Sequence, residues 1–257
     1  MNQKIEAVIF DWAGTTVDYG SFAPVQAFME AFEKYRIKPT KEEVRKPMGM
    51  LKIDHIRTML KMDRLNDLWK QEQGRDWTEE DVKAIFAEME KKELELLPDF
   101  AEVKPYVNET VAALRAKGIK IGSTTGYTDQ MMDIVVPIAK KNGYDPDYWI
   151  SPNSVGNVGR PYPYMIFHNM EKLGVSSVAN VIKVGDTVAD IKEGKNAGVT
   201  AVGVLEGSSV MGYTEDEYQS LSETEKTQAK AKATAIYKEA GADYVIDDMR
   251  GLLKLIG

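Results

Sequence analysis

The chemistry available to this sequence is concentrated on a few side chains that end short apolar runs. In "VIFDWAGTTVD", Val8 to Asp18, the apolar run stops at Asp11 and passes into a polar turn. A carboxylate at the carboxyl end of a parallel strand stands where ligands of open α/β sheets bind. "VGDTVAD", Val184 to Asp190, places Asp186 at the end of another run and Asp190 one helical turn further. Oxygen-only ligands such as Asp11, Asp186 and a backbone carbonyl suit Mg2+, an ion that keeps several waters and favours a neighbouring phosphate. "STTGYT", Ser123 to Thr128, closes a third run with hydroxyls and a glycine ahead of a helix. Backbone N–H groups there, with Thr125, can hold a phosphate. In "GRPYP", Gly159 to Pro163, Arg160 adds a cation. One position is notable for what it lacks. Two residues after Asp11, where a second carboxylate would complete an acid–base pair, stands Ala13. It has no side-chain proton for a departing oxygen and keeps only its carbonyl for a metal.

A second group lies in "KPMGMLKIDHIRTML", Lys46 to Leu60. On a helix, Lys52 and His55 are three apart and share a face, and Met48 and Met59 fall on or near the same stripe. An amine beside Met side chains is desolvated, which lowers its pKa toward a neutral nucleophile. A neutral Lys attacks an aldehyde to give a Schiff base, and an imidazole shuttles the protons of that step. Taken singly, a Lys among 33 Lys and Arg is an ordinary surface group, and a His beside Met is ordinary packing. Their conjunction, with one of only two His in the chain and with Ala13, points to chemistry.

These residues need elements to position them. Apolar runs at Ala7–Phe10, Lys120–Thr124, Tyr148–Ile150, Val181–Val184, Thr200–Val204 and Tyr244–Ile246 read as strands. Amphipathic stretches at Asn108–Lys117, Asp129–Asn142, Tyr162–Leu173, Val188–Ala197, Glu223–Ala240 and Met249–Ile256 read as helices. The alternation predicts an α/β fold, a doubly wound, Rossmann-like parallel sheet. From Ala23 to Leu97 no convincing strand occurs, and helical patterns fill the segment. The expected organisation is a core of residues 1–20 and 100–257 with an all-helical cap of residues 21–99. Crossings near Tyr19–Ser21 and Pro98–Pro105 would serve as hinges.

Asp11, Thr125, Arg160 and the pair Asp186 and Asp190 resemble the four motifs of the haloacid dehalogenase superfamily, and the helical insertion resembles its cap. The strings "DWAGTTVDYG", "KPMGMLKIDH", "IGSTTGYT", "GRPYP" and "KVGDT" are more specific. They resemble the phosphonoacetaldehyde hydrolases (phosphonatases) of that superfamily, and the resemblance spans essentially the whole chain. It implies Asp11 as nucleophile, Thr125, Gly126 and Arg160 as phosphoryl ligands, and Met48 and Tyr127 as walls of the closed site. It further implies Mg2+ held by Asp11, the Ala13 carbonyl, Asp186 and Asp190, with Lys52 and His55 as the cap's catalytic pair. The implied reaction cleaves the carbon–phosphorus bond of phosphonoacetaldehyde to acetaldehyde and phosphate, within 2-aminoethylphosphonate degradation. A departing carbon needs an electron sink, which an iminium at Lys52 supplies. The implied assembly is a homodimer, with the helix Pro24–Tyr35 as a candidate contact surface or, equally, as packing within the cap. Two departures stand out: Ser21 replaces a Cys found in some members, and Asn153 and Ser154 replace familiar acids in a slightly long loop.

Composition sets the remaining bounds. The chain has 257 residues, 43% hydrophobic and 28% charged, an ordinary balance for a soluble domain with a real core. A net charge of −7 argues against a nucleic-acid footprint, and the lack of Cys excludes disulfides and thiolate metal sites. The opening "MNQKIEAVIF" is too short an apolar run for a secretory signal, and no run approaches a membrane span. A cytoplasmic location is expected.

Overall fold

The computed structural model describes residues 4–257. Six parallel strands form one sheet in the order β3-β2-β1-β4-β5-β6. They are β1 (Ala7–Phe10), β2 (Lys120–Thr124), β3 (Tyr148–Ile150), β4 (Val181–Gly185), β5 (Thr200–Val204) and β6 (Tyr244–Ile246). All six expected strands are present, with β4 one residue longer. β1 and β4 are buried along their whole length, as central strands of a sheet covered on both faces must be. The chain leaves β1 for β2 and β3 on one side and adds β4, β5 and β6 on the other. The reversal falls between β1 and β4, where Phe10 lies opposite Val184, so Asp11 and Asp186 emerge side by side at the switch point.

The helices are α1 (Phe22–Glu33), α2 (Lys41–Arg45), α3 (Lys52–Leu60), α4 (Asp63–Gln73), α5 (Glu79–Leu96), α6 (Val107–Ala116), α7 (Asp129–Lys141), α8 (Tyr164–Leu173), α9 (Val188–Ala197), α10 (Glu215–Ser220), α11 (Glu223–Glu239) and α12 (Arg250–Ile256). Helix starts follow cap chemistry: Thr78 and Asp81 form a capping box on α5, and Thr187 and Asp190 form one on α9. α8 starts at Tyr164, not Tyr162, because Pro161 and Pro163 hold the preceding turn. α10 follows a polar stretch with no apolar period and was not expected.

Helices α1 to α5 build their own apolar cluster around Phe28, Phe32, Ile56, Met59, Trp69 and Ile85, apart from the cluster packed on the sheet. The apolar face of α1, including Phe28 and Phe32, is buried within this insertion, so the stripe considered as a dimer surface is already occupied. The two crossings run beside each other: Asp18 N–H donates to the Glu102 carbonyl at 3.2 Å, and Lys104 N–H to the Thr16 carbonyl at 2.9 Å. Asp18 then caps α1, accepting from the N–H groups of Phe22 at 2.9 Å and Ala23 at 3.1 Å. No helix among the described residues is long and apolar enough to cross a membrane.

Candidate active site

Asp11, Ala13, Met48, Lys52, Thr125, Gly126, Tyr127 and Arg160 line one small cavity of ≈ 30 Å³ between sheet and insertion. Eight of the eleven residues singled out by sequence therefore meet here. Asp186 and Asp190 lie directly beneath, with oxygens of Asp11, Asp186 and Asp190 all within 4.8 Å of one another. His55 is buried one turn along α3 from Lys52.

Below the cavity, Arg160 binds three carboxylates: Asp11 at 2.7 Å, Asp190 at 3.0 Å and Glu193 at 3.0 Å. Burial alone would lower its pKa, but these three anions outweigh burial and raise it, so the guanidinium stays charged. Lys183, buried in mid-strand, binds Asp190 at 2.9 Å and donates to the Thr124 hydroxyl at 2.9 Å. Asp190 uses its other oxygen in the α9 capping box. Despite burial, Arg160 and Lys183 hold Asp190 below the usual carboxylate range. Asp186 is different. It accepts from the Thr15 hydroxyl at 3.2 Å and Ser209 N–H at 2.7 Å but has no ion pair among the described residues. Burial, then repulsion from Asp11 and Asp190, pushes its carboxyl well up. A hard cation is what this acid set lacks: Asp11 and Asp186 fit a Mg2+ site, whereas Asp190 is already balanced by two cations.

The insertion meets the core closely at two glycines, Gly49 and Gly126. A Cβ on Gly126 would lie 3.1 Å from the Met50 carbonyl oxygen, and one on Gly49 would lie 2.3 Å from the Thr187 hydroxyl. Gly49 also has φ +86°, which favours glycine. Arg45 adds a polar tie, donating to the carbonyls of Gly20 at 2.7 Å and Ser209 at 3.1 Å. Since Ser209 N–H holds Asp186, α2 is linked to the acid cluster through one residue.

Lys52 opens α3 and projects its amine between aromatic rings, 5.3 Å from the Phe28 centroid and 5.0 Å from that of Tyr127. The expected Met stripe holds in part: Met48 lines the cavity with Lys52, and Met59 does not. Met48 lies in the turn before α3 rather than on the helix, and Met59 is packed in the insertion's core. The amine instead pairs with Glu93 of α5 at 2.9 Å. The His55 ring stacks on Phe28 at 3.9 Å, and its Nε2 lies 2.8 Å from the Val44 carbonyl. A carbonyl only accepts, so Nε2 carries the proton and Nδ1 the lone pair. Burial, reinforced by Lys52, depresses the imidazole well below its usual value and keeps it neutral.

Sequence reasoning missed Glu93, Lys183, Glu193, Arg45 and Thr15. A lysine inside the apolar run "VIKVG" was the one legible signal among them. The departures in the Ser151–Arg160 loop fall away from the acids: the Asn153 side chain accepts from Asp129 N–H at the start of α7 and donates to Asn157.

A family model described as haloacid dehalogenase-like hydrolase matches residues 5–198. A phosphonoacetaldehyde hydrolase of Lysinibacillus sphaericus is 52% identical over 98% of this chain and 94% of its own. A bifunctional phosphonoacetaldehyde hydrolase/aminoethylphosphonate transaminase of Clostridioides difficile is 50% identical over 97% of this chain, which spans 39% of that longer protein. The crystal structure of a phosphonoacetaldehyde hydrolase-like protein from Oleispira antarctica superposes with a TM-score of 0.95 at 38% identity, covering 99% of this chain and 92% of that one. The chain belongs to the haloacid dehalogenase-like hydrolases and, within them, to the phosphonoacetaldehyde hydrolase family.

Proposed function

We propose that this protein hydrolyses the carbon–phosphorus bond of phosphonoacetaldehyde, giving acetaldehyde and phosphate. The observation that carries the reading is that a buried lysine from the insertion and Asp11 from the sheet line the same cavity, while Ala13 offers no acid for a departing oxygen. Lys52 condenses with the aldehyde to an iminium, which accepts the electron pair of the breaking carbon–phosphorus bond as an enamine. Asp11 attacks phosphorus and becomes an aspartyl-phosphate that water then hydrolyses. Arg160, Thr125 and the Gly126 N–H hold the phosphoryl oxygens. His55, neutral with a free Nδ1, moves the protons of imine formation and enamine protonation. Met48 and Tyr127 wall the site. Mg2+, held by Asp11, Asp186 and the Ala13 carbonyl with Asp190 behind them, would neutralise phosphoryl charge.

The cavity holds only ≈ 30 Å³, too little for the substrate, so the insertion, residues 21–99, acts as a cap that opens on the core of residues 1–20 and 100–257. A larger cleft of ≈ 570 Å³ shares Met48 and Met50 with the site and carries Lys46, Lys61 and Lys192, a cationic approach for an anionic substrate. The Clostridioides difficile relative joins its hydrolase to an aminoethylphosphonate transaminase. That pairing supports a place after transamination of 2-aminoethylphosphonate. We assign the protein to the cytoplasm, as a homodimer whose stoichiometry sedimentation would establish.

Borohydride trapping tests the chemistry. Substrate plus borohydride should inactivate the enzyme and leave a two-carbon label on Lys52. Turnover by Lys52→Arg, or a label elsewhere, would overturn the Schiff-base reading.

A further inference from the structure

Glu93 is unfavourable where it stands. It lies in the last turn of α5, where the helix dipole disfavours an anion and no basic residue offsets it. It is fully buried, and its carboxyl is pushed up by burial in spite of Lys52. The only partner of Oε1 among the described residues is the Lys52 amine at 2.9 Å, and Oε2 has none. Removing a carboxylate from water costs several kcal/mol, which argues that this one serves the amine rather than the fold. The Phe28 and Tyr127 rings flank that amine where Lys52 lines the cavity, so Glu93 also fixes its direction.

We propose that Glu93 is a positioning residue for the Schiff-base step, aiming the Lys52 amine and serving as the fixed counter-charge of its nitrogen in both the ammonium and the iminium form. The inference rests on Lys52 being the Schiff-base lysine. In the condensation, a Nζ–carbon bond forms and the carbonyl carbon–oxygen bond breaks. Two of the three ammonium protons leave with that oxygen as water, and the iminium nitrogen keeps one proton and the positive charge. The charge facing Glu93 is thus unchanged. It disappears only when carbon–phosphorus cleavage gives the neutral enamine, and it returns when carbon is protonated. The other titratable groups that face the pair are His55 on α3, Glu90 on α5, Asp18 from the first crossing and Tyr127 from the core.

This role has a pH signature. At low pH, condensation exchanges one cation for another, so loss of the counter-charge cancels. Once the amine is neutral, condensation creates a buried cation, and the loss is felt in full. The test uses acetaldehyde with cyanoborohydride, trapping slowly enough that the labelling rate reads the iminium population on Lys52 by mass spectrometry. The series is wild type, Glu93→Gln and Glu93→Asp, from about pH 6 to about pH 11.5, which carries a lysine amine through its ordinary range at about 10.4. We expect the wild-type to Glu93→Gln ratio to be within about twofold at the acid end and at least about tenfold at the alkaline end, as loss of a buried partner requires. Glu93→Asp should fall between them, and it carries the test alone if Glu93→Gln fails to fold, since its carboxylate is drawn back by one methylene. A ratio that stays flat with pH, or labelling equal to wild type throughout, overturns the role of Glu93 while leaving Lys52 labelled. A wild-type protein with no label on Lys52 removes the Schiff-base reading and this one with it.

Discussion

The Lys52 amine sits 5.0 Å from the centre of the Tyr127 ring, so the lysine of the helical insertion is held against an aromatic face of the core. A desolvated contact of this kind is worth about 2 kcal/mol, or roughly thirtyfold in an equilibrium. Tyr127→Ala should therefore lower kcat/KM by about ten- to a hundredfold, as closure loses its aromatic stop. Tyr127→Phe keeps the ring and should stay within about threefold. Steady-state kinetics on both variants check the pair; equal losses would place the effect on the hydroxyl instead.

Gly126 predicts a second closure variant. A Cβ there would meet the carbonyl oxygens of Met50 at 3.1 Å and Gly49 at 3.3 Å, both backbone atoms that yield only if the loop moves. Gly126→Ala should raise KM and increase protease cleavage at the crossings near Gly20 and Phe100. The unfolding midpoint should change little, because the wedge acts between the two bodies and not within either core. An unchanged KM with a lowered midpoint would show that the loop absorbs the methyl locally.

The acid cluster predicts a linked effect on stability and metal. Asp186 is buried beside Asp11 and Asp190 with no ion pair among the described residues, and its carboxyl is pushed well up by burial and by those neighbours. Mg2+ should raise the thermal midpoint of the wild type, with a stabilisation of about 2.7 kcal/mol at a concentration a hundredfold above Kd. Chelation should abolish turnover. Asp186→Asn removes the repulsion while keeping an acceptor for Ser209 N–H, so its metal-free midpoint should exceed that of the wild type and no longer respond to Mg2+. Differential scanning calorimetry with and without the ion reads both.

How much of this was legible in the sequence depends on how local each signal is. The strands could be read because their apolar runs end in polar turns, and Asp11, Thr125 and Asp186 followed because a parallel sheet puts strand ends on one rim. Lys52 was singled out through its helical neighbour His55, with Met48 and Tyr127 beside it, but its ion-pair partner was not. Glu93 lies 41 residues away on another helix, and no spacing rule connects the two. Glu193 and Lys183 were hidden likewise, since their value is a charge balance that exists only after α9 packs on β4. Met48 was assigned to a helix face because the start of α3 carries no side-chain cap to mark it.

Two buried groups with opposite titration predict that the wild type hides its own pH dependence. Burial pushes the Asp18 carboxyl up to about 7, against two helix N–H groups that pull it down. In the unfolded chain it titrates near the ordinary carboxyl value of 3.8. Between about pH 4 and 7 the folded state therefore binds a proton the unfolded state lacks, so stability from this group falls as pH rises. His55 runs the other way. Its folded pKa lies well below 6.5, so under pH 6.5 the unfolded chain takes up a proton that the folded state refuses, and stability falls as pH drops. Each slope is about 1.4 kcal/mol per pH unit, and below about pH 6.5 the two overlap and offset. His55→Gln should leave the Asp18 slope exposed and become more stable toward acid across that window. Asp18→Asn should shift the profile the other way and lose stability toward acid relative to the wild type, whose raised Asp186 and Glu93 carboxyls both variants keep. Urea midpoints at half-unit steps measure both, and parallel pH profiles for the two variants would contradict the assignment.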